Sequence, residues 1–258
     1  MLGLTQIELY YPENEKPFGK NILREYLQYK ILEIVFGLPI AGKLSFLGGT
    51  ALRIIHGNSR FSEDLDFDNF GLTPDDFVSL AKGVKIGIER EGYEIEIRNV
   101  FKGAYRCYIK IPDILFDNKI TDLRGEKMTI QIDTAPHDFN YAPDKKIINK
   151  FDVFTQILAT PPDILFSQKI YAALNRKRAK GRDFFDIVFI SQKTKPNYDY
   201  LKAKLKIANE AELKNKLFLA VKELDFNILA KDVGPFLINS GENKRVLLFK
   251  QYLEQFEF

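Results

Sequence analysis

Residues 44–68 read LSFLGGTALRIIHGNSRFSEDLDFD, and this stretch decides the fold. A short apolar run at residues 44–47 ends in two glycines, which is typical of a buried strand that stops at a turn. Residues 50–56 have the pattern of a short helix that opens directly after the glycines. Residues 64–68 then alternate carboxylate and apolar side chains with a period of two, which predicts a second strand.

The rest of the chain predicts more strands and helices in its front half and helices in its back half. Apolar residues at helical spacing predict a long helix over residues 17–36, and Thr73 followed by Pro74 predicts the start of another that ends near residue 92. Alternating patterns predict strands over residues 93–101, 105–111 and 128–134. Beyond residue 160 we expect helices over residues 162–175, 181–192, 198–208, 211–224, 230–237 and 242–256.

This organisation predicts an α/β (α+β) fold in which a sheet flanked by helices precedes a helical C-terminal half. The chain has 258 residues, which suffices for one large domain or two small ones. We expect an α/β domain over residues 1–155 and a helical domain over residues 156–258 that completes the active-site cleft.

The composition is that of an ordinary globular protein. The net charge of +3 does not demand a nucleic-acid partner, although clustered basic residues would permit one. Cys107 is the single cysteine, so an intrachain disulfide is excluded, which fits a reducing compartment. The first residues lack the pattern of a signal peptide, and no apolar run approaches the roughly 20 residues of a membrane span. We therefore expect a cytoplasmic protein without membrane contact.

The predicted strand at residues 64–68 presents a row of carboxylates. Asp64 and Asp66 point to the same face because side chains i and i+2 on a strand do so, and Asp68 continues the row. Crowded carboxylates repel each other unless a cation lies between them, and Mg²⁺ bound by one or two carboxylates plus substrate phosphates suits this arrangement. An acidic strand face that is merely solvated is the alternative.

The glycine turn upstream of these acids gives the row a chemical context. Gly48 and Gly49 at a helix start let backbone N–H groups approach an anion, and Thr50 adds a hydroxyl. Arg60 and Ser62, in the loop that follows, are further candidates for phosphate contacts. A phosphate cradle followed by a metal-binding carboxylate pair is what phosphoryl or nucleotidyl transfer requires, whereas Gly-Gly-Thr alone is equally compatible with a simple tight turn.

A third carboxylate is expected in such a site, and Asp133 is the best candidate because it is an acid on an apolar strand. It would complete the metal site with Asp64 and Asp66 and act as a base toward the acceptor hydroxyl, unless it merely caps a turn. His56 and His137 are not at metal-ligand spacing with each other or with a cysteine, so we expect no zinc site and a structural role for both.

Two segments of the chain resemble the AbiEii/AbiGii toxin family, within the polymerase-beta-like nucleotidyltransferase superfamily. The first is GGTALR followed by R-x-SEDLDF in residues 46–67, and the second is KIYAALNRKRAKGRDFFDI at residues 169–187. The second segment is similar to that family's lysine-containing helix followed by an R-D-x-x-D motif. Together the motifs span residues 46–189, more than half of the chain.

The resemblance implies a nucleotidyltransferase-type mixed sheet and transfer of NMP from an NTP with Mg²⁺. It implies that Lys169 contacts the triphosphate and that Asp186 or Asp183 is the late acid. We expect Asp186 to be catalytic and Asp183 to bind Arg182 or Lys169. By the same resemblance, Gly48, Gly49 and Thr50 hold phosphate, and Asp64 and Asp66 hold the metal.

The toxin resemblance also implies a cognate antitoxin, and tRNA is the acceptor we would test first. Five cations within residues 176–182 favour RNA slightly, although such a cluster is also typical of a solvated helix end. The alternatives are transfer to a small molecule or a protein, a module that binds NTP without catalysis, and an interaction protein that binds neither NTP nor metal.

Overall fold

A computed structural model describes residues 2–136, 138–256 and 258 of the chain. His137, for which the sequence predicts a structural role, lies outside these residues. The chain divides into two compact units. The first unit comprises the residues up to His56 together with Phe61–Thr160, and the second comprises Gly57–Arg60 together with Pro161–Phe258.

The first unit is built on a mixed sheet that has seven strands within the described residues, in the order β3-β4-β5-β2-β1-β7-β6. Strands β2 and β5 pair in parallel, as do β1 and β7, and the other neighbours pair antiparallel. The strands are β1 Leu44–Leu47, β2 Leu65–Asn69, β3 Glu96–Lys102, β4 Ala104–Ile111, β5 Met128–Pro136, β6 Asp144–Lys150 and β7 Val153–Ala159. The helices of this unit are α1 Leu4–Glu8, α2 Gly19–Phe36, α3 Gly48–Ile54, α4 Pro74–Arg90 and α5 Ile114–Asp117.

One face of this sheet is the core of the first unit. Apolar side chains alternate into it along the central strands, and helices α2 and α4 pack against the sheet. Phe46 and Phe67 are cross-strand partners there, with ring centroids 5.6 Å apart. Because successive side chains on a strand alternate, Asp66 and Asp133 lie on the opposite face.

The predicted α/β fold is confirmed, and the predicted helices and strands of the front half are present within a few residues. Helix α4 begins as expected, since the Thr73 hydroxyl accepts a hydrogen bond from the Asp76 backbone amide and Pro74 follows. Helix α3 differs in one respect, because it starts at Gly48 and so contains both glycines in its first turn.

Strands β6 and β7 were missed by the sequence interpretation. Ile147 and Phe154 are 65 % and 69 % exposed, so apolar residues occupy both faces of this hairpin and the period of two is obscured. Strand β7 crosses residue 155, where the expected α/β domain ends. The division into two independent domains stays a prediction.

The second unit is helical, as predicted. Its helices are α6 Pro162–Asn175, α7 Gly181–Ser191, α8 Tyr198–Leu205, α9 Glu210–Val221, α10 Phe226–Val233, α11 Lys244–Leu247 and α12 Phe249–Gln255. The single helix expected over residues 242–256 is broken into a short 3-10 turn, α11 and α12. Rings from α7, α10 and α12 form its core, with Phe184 4.9 Å from Phe249 and 5.2 Å from Phe226.

Among the described residues, no helix has both the length and the apolar character needed to cross a membrane.

Candidate active site

Gly48 and Asp66 lie in direct contact at the end of strand β1. Gly48 has a φ of +82°, and a Cβ atom placed on it would lie 2.1 Å from Oδ2 of Asp66. Only glycine fits this position, because any side chain would be strained and would collide with the carboxylate. Leu47 is the cross-strand partner of Asp66, so the register of β1 and β2 brings the glycine turn to this acid. The structure therefore joins the two halves of the first motif at Gly48 and Asp66.

Thr50 fixes the position of Asp64. The Thr50 hydroxyl donates a hydrogen bond to the backbone carbonyl of Asp64, and the Thr50 side chain is fully buried. Asp64 lies one residue before β2 and is half-buried. Ser62 is also half-buried, and the Gln28 side-chain amide holds its backbone carbonyl at 3.0 Å. In this structure Thr50 orders the loop, while its predicted contact with phosphate stays a prediction.

Asp133 on β5 is the cross-strand partner of Asp66 on β2, so the two acids lie side by side on one face of the sheet. Oδ1 of Asp133 accepts a hydrogen bond of 2.9 Å from Nε of Arg106, which is its partner on β4. Oδ2 of Asp133 accepts a hydrogen bond from the Gln131 side chain. The pairing of β2 with β5 thus places Asp133, the predicted third carboxylate, next to Asp66. The Arg106 guanidinium and the Gln131 amide fix its position.

Asp68, the third acid of the predicted row, takes part in a buried hydrogen-bond network. Tyr141 donates its hydroxyl proton to Oδ2 of Asp68, and the same hydroxyl lies 2.8 Å from Oγ1 of Thr160. Burial, reinforced by the charge of Asp68, raises the pKa of Tyr141. Asp68 therefore stabilises the sheet beside the candidate site.

Arg53 anchors helix α3 at the end opposite Gly48. Its Nε lies 2.8 Å from Glu25 and its Nη2 lies 2.8 Å from Glu15, while the guanidinium carbon is 4.7 Å from the centre of the Phe61 ring. Lys150 also contacts Glu25 at 2.8 Å. Although burial acts to raise the pKa of Glu25, Arg53 and Lys150 hold it below its ordinary value. Arg53 thus fixes the glycine helix against α2.

The second unit carries the second motif, centred on Asp186. This carboxylate is fully buried and accepts hydrogen bonds from Arg60 Nε at 2.7 Å and Arg60 Nη2 at 2.6 Å. The Asn58 amide donates to it at 3.0 Å, and Lys169 Nζ lies 2.9 Å away. Burial alone would raise the pKa of Asp186, but Arg60 and Lys169 outweigh it and lower that pKa to about 2.

Two sequence predictions need correction here. Arg60 was expected to contact phosphate, yet it is 1 % exposed and forms a bidentate pair with Asp186. Asp183 was expected to bind Arg182 or Lys169, whereas its partner within ion-pair distance is Arg176, with Nε 2.9 Å from Oδ2. That contact lacks hydrogen-bond geometry, so it is an ion pair only.

The pKa of Asp183 is shifted in the opposite direction from that of its neighbour Asp186. Its side chain is 2 % exposed, and burial raises its pKa although Lys169 and Arg176 oppose that rise. Asp186 adds to the rise because its negative charge disfavours a second one nearby. The second unit therefore holds one firmly ionised carboxylate beside one that gains a proton more readily.

The donor set in the first unit suits a hard cation. Asp66 and Asp64 offer carboxylate oxygens, and the absence of a side chain at Gly48 lets the backbone approach Asp66 closely. Within residues 2–136, 138–256 and 258, no group of three or more His, Cys, Asp or Glu side chains is arranged to hold a metal ion. The three predicted ligands are thus not gathered into one cluster. Two carboxylates that share a cation with phosphate oxygens remain a chemically sound fit for Mg²⁺.

The residues that sequence reasoning missed are partners of the predicted ones. Arg106 and Gln131 hold Asp133, and Asn58 contacts Asp186. Arg106 lies in the predicted hairpin at residues 93–111, but its place beside Asp133 follows only from the separate pairing of β4 with β5. Asn58 and Arg60 lie in a loop, and no local pattern links them to an acid 126 positions or more away.

Comparison with solved structures finds chains of similar fold. A crystal structure of JHP933 from Helicobacter pylori is 19 % identical with a TM-score of 0.55, and the match covers 91 % of this chain and 92 % of that one. MenT4, a nucleotidyltransferase toxin from Mycobacterium tuberculosis H37Rv, is 16 % identical with a TM-score of 0.57 over 100 % of this chain and 91 % of its own. A search among curated protein sequences found no match.

A sequence model of one protein family matches most of the chain. That family is described as the nucleotidyl transferase AbiEii toxin of a type IV TA system, and the match runs over residues 36–254. The matched range contains Gly48, Asp66 and Asp133 in the first unit and Lys169 and Asp186 in the second. The chain belongs to the AbiEii family of nucleotidyltransferase toxins.

Proposed function

We propose that this nucleotidyltransferase uses Mg²⁺ to transfer NMP from an NTP to an RNA acceptor, with tRNA as the first acceptor to test. The observation that carries the proposal is the contact between Gly48 and Asp66, in register with Asp133 on the next strand. A glycine turn against one of two adjacent carboxylates supports a site where phosphate and a hard cation meet.

We assign the metal to Asp64 and Asp66, with Asp133 beside them, and the phosphates of the NTP to the backbone of Gly48 and Gly49. When bound, Mg²⁺ supplies positive charge that stabilises the attacking and leaving oxygens. Both oxygens of Asp133 already accept hydrogen bonds, one from the Arg106 guanidinium and one from the Gln131 amide. These two donors hold the carboxylate in place, so we assign Asp133 to charge stabilisation beside the metal and keep its predicted role as a base as the alternative.

The transfer itself is a displacement at phosphorus. The acceptor hydroxyl oxygen forms a bond to the α-phosphorus, the bond from that phosphorus to the bridging oxygen breaks, and pyrophosphate leaves as the hydroxyl proton is released. The chain contributes positioning and electrostatic stabilisation rather than covalent chemistry. Carboxylates and backbone amides are suited to these two contributions, because they bind a cation and phosphate oxygens without forming covalent bonds to the substrate.

Lys169 is the residue we assign to the triphosphate. Its ammonium group has three N–H donors, and within the described residues its ion-pair partner is Asp186, at 2.9 Å. Asp186 is fully buried and surrounded by Arg60, Asn58 and Lys169, so we assign it to positioning Lys169 and not to contact with the substrate. This assignment revises the catalytic role that the sequence predicts for Asp186.

Exposed cations support RNA as the acceptor. Lys177 and Arg178 lie in the loop between α6 and α7 and are exposed, and neither contacts a carboxylate among the described residues. Cations that no acid neutralises are suited to phosphate. The proposal locates the reaction in the cytoplasm, where NTPs and tRNA occur together, and the toxin family supports a cognate antitoxin as the natural partner.

The test is label transfer from each of the four α-³²P-labelled NTPs to total tRNA, with and without Mg²⁺. We expect labelled tRNA from the wild-type protein with Mg²⁺, none from Asp66→Ala, and wild-type labelling from Asp75→Ala, which removes an exposed acid of α4. Label that appears only in protein or in a small molecule would overturn the RNA acceptor. Tight NTP binding without any transfer would overturn catalysis and favour a non-catalytic module.

A further inference from the structure

The sheet face that carries Asp133 continues across strands β5, β4 and β3, where its side chains are half-buried or exposed. Tyr108 pairs with Gln131 and Arg98 pairs with Tyr108, so these side chains share the face of Asp133 and Arg106. The alternating residues of β4 and β5 that point the other way are buried in the core. We call the surface formed by Arg98, Arg106, Tyr108, Lys110 and Gln131 the open face.

The open face has an excess of positive charge. Arg98 and Lys110 are exposed, and neither has a carboxylate ion-pair partner within the part of the chain that the structure describes. Of the acids on this face, Glu96, the cross-strand partner of Lys110, pairs with Lys127 at 2.5 Å, Asp133 pairs with Arg106 at 2.9 Å, and Asp66 lies two strands away from β4. The charge left over is therefore available to a polyanion.

An aromatic ring lies within this positive surface. The guanidinium carbon of Arg98 is 5.6 Å from the centre of the Tyr108 ring, which is a cation–π contact between neighbouring strands. Rings and guanidinium planes on an open sheet face are the groups on which proteins stack the unpaired bases of RNA. An acidic protein segment would use the charge but would have no use for the flat ring.

The open face adjoins the acids assigned to catalysis. Arg106, Asp133 and Asp66 are successive partners across β4, β5 and β2, and Tyr108 is two residues along β4 from Arg106. With strands about 4.8 Å apart and about 3.3 Å per residue, Tyr108 is roughly 12 Å from Asp66 along the sheet. At this distance Tyr108 cannot contact the nucleotide whose hydroxyl reacts at Asp66. It can contact the nucleotides that flank the reacting one in the RNA chain.

We propose that the open face binds a single-stranded segment of the acceptor RNA, with phosphates on Arg98 and Lys110 and a base stacked on Tyr108. This inference rests on the proposed function, because it assigns the acceptor of that reaction to a surface. It makes the enzyme dependent on nucleotides that flank the modified end and not only on the end itself.

The experiment measures binding of fluorescently labelled total tRNA by anisotropy across about 50 to 200 mM salt. We expect Arg98→Ala/Lys110→Ala to bind about tenfold more weakly and to lower the salt slope by about 2, one for each lost phosphate contact. Tyr108→Leu should bind about tenfold more weakly with an unchanged slope, and Tyr108→Phe should bind like wild type because it retains the ring.

The matched control is Lys82→Ala/Lys85→Ala, which removes the same charge from exposed positions on α4. If the open-face variants bind tRNA with the affinity and slope of this control, the inference is overturned. Equal loss of binding to polyglutamate would also overturn it, in favour of an acidic protein partner. Label transfer to tRNA separates the proposed function from this inference. If the wild-type protein transfers no label, the proposed function is wrong. If it transfers label and the Arg98, Lys110 and Tyr108 variants do so equally well, only the assignment of the open face is wrong.

Discussion

The two aspartate motifs of this chain are built in opposite ways. Asp66 and Asp133 lie half-buried and side by side on one face of the sheet, and the backbone of Gly48 contacts Asp66. Asp186 is fully buried, and Arg60, Asn58 and Lys169 surround it. A carboxylate that must bind a cation and a substrate needs room, whereas one that holds other side chains in place needs partners. Under the proposed function, the first motif supplies acids that bind ligand and Asp186 holds Lys169 in place, and mutations can separate these two roles.

The largest effect on stability is expected at Asp186. Asp186→Ala leaves the Arg60 guanidinium buried without its counter-charge, which costs about 3–5 kcal/mol of the free energy of unfolding. Asp199→Ala, at an exposed position in the first turn of α8, should cost less than about 1 kcal/mol. Denaturant unfolding of both variants measures this difference. Equal stability of the two would mean that the buried pair contributes nothing to the fold.

Asp66→Ala should show the reverse pattern. Loss of a metal ligand removes several kcal/mol of transition-state stabilisation, so transfer activity should fall about a thousandfold. The free energy of unfolding should change by less than about 1 kcal/mol, because the change removes one of several neighbouring carboxylates from a half-buried position on a strand face. Label transfer and denaturant unfolding on the same preparation test both parts. A large loss of stability would contradict the contrast between the two motifs.

Gly48→Ala should weaken both activity and stability. The positive φ costs an alanine about 1–3 kcal/mol, and the new Cβ displaces the Asp66 carboxylate. Gly103→Ala is the matched control, since Gly103 has a φ of +76° and a Cβ atom there would meet no neighbouring group within 4 Å. The control should lose similar stability and keep its activity. If both variants lose activity equally, the contact between Gly48 and Asp66 has no special role.

The smallest effect concerns Asp183 and pH. Its folded-state pKa is raised, so its contribution to stability is present below the unfolded pKa of about 4 and is lost as pH rises through the folded value. Asp183→Asn should therefore be as stable as wild type or about 1 kcal/mol more stable at pH 7, and should lose the gain in stability that wild type shows on acidification toward pH 4.

Asp186 has the opposite sign, since its pKa of about 2 lies below the unfolded value, and its contribution is lost as pH falls from about 4 toward 2. Thermal unfolding of wild type and Asp183→Asn between about pH 7 and 2 measures both slopes. An unchanged slope above pH 4 in Asp183→Asn would show that Asp183 is ionised throughout that range.

The sequence predicted the parts of the site that depend on local patterns. Gly48, Asp64 and Asp66 are close in the chain, and a turn followed by an alternating strand is sufficient to bring them together. Asp133 was predicted from an acid on an apolar strand, and its place beside Asp66 followed only when β2 and β5 were paired. The assignments of these residues to metal and phosphate stay predictions.

The errors arose where distant residues meet. Arg60 is a reasonable phosphate ligand by its chemistry, but its partner Asp186 is 126 positions away and the pairing depends on tertiary structure. Strands β6 and β7 were missed because Ile147 and Phe154 put apolar side chains on the outer face of an edge hairpin. In both cases contacts between residues distant in sequence determine the structure, and the local sequence pattern does not reveal them.

The four residues Gly57–Arg60 belong with the C-terminal unit although they are inserted in the sequence of the first. A ribosome that adds about 5–20 residues per second makes Arg60 roughly ten seconds before it makes Asp186. A nascent chain that ends before Asp186 would therefore contain both acids of the first motif but not the carboxylate that pairs with Arg60. The order of synthesis thus completes this buried pair only after β7 has been made.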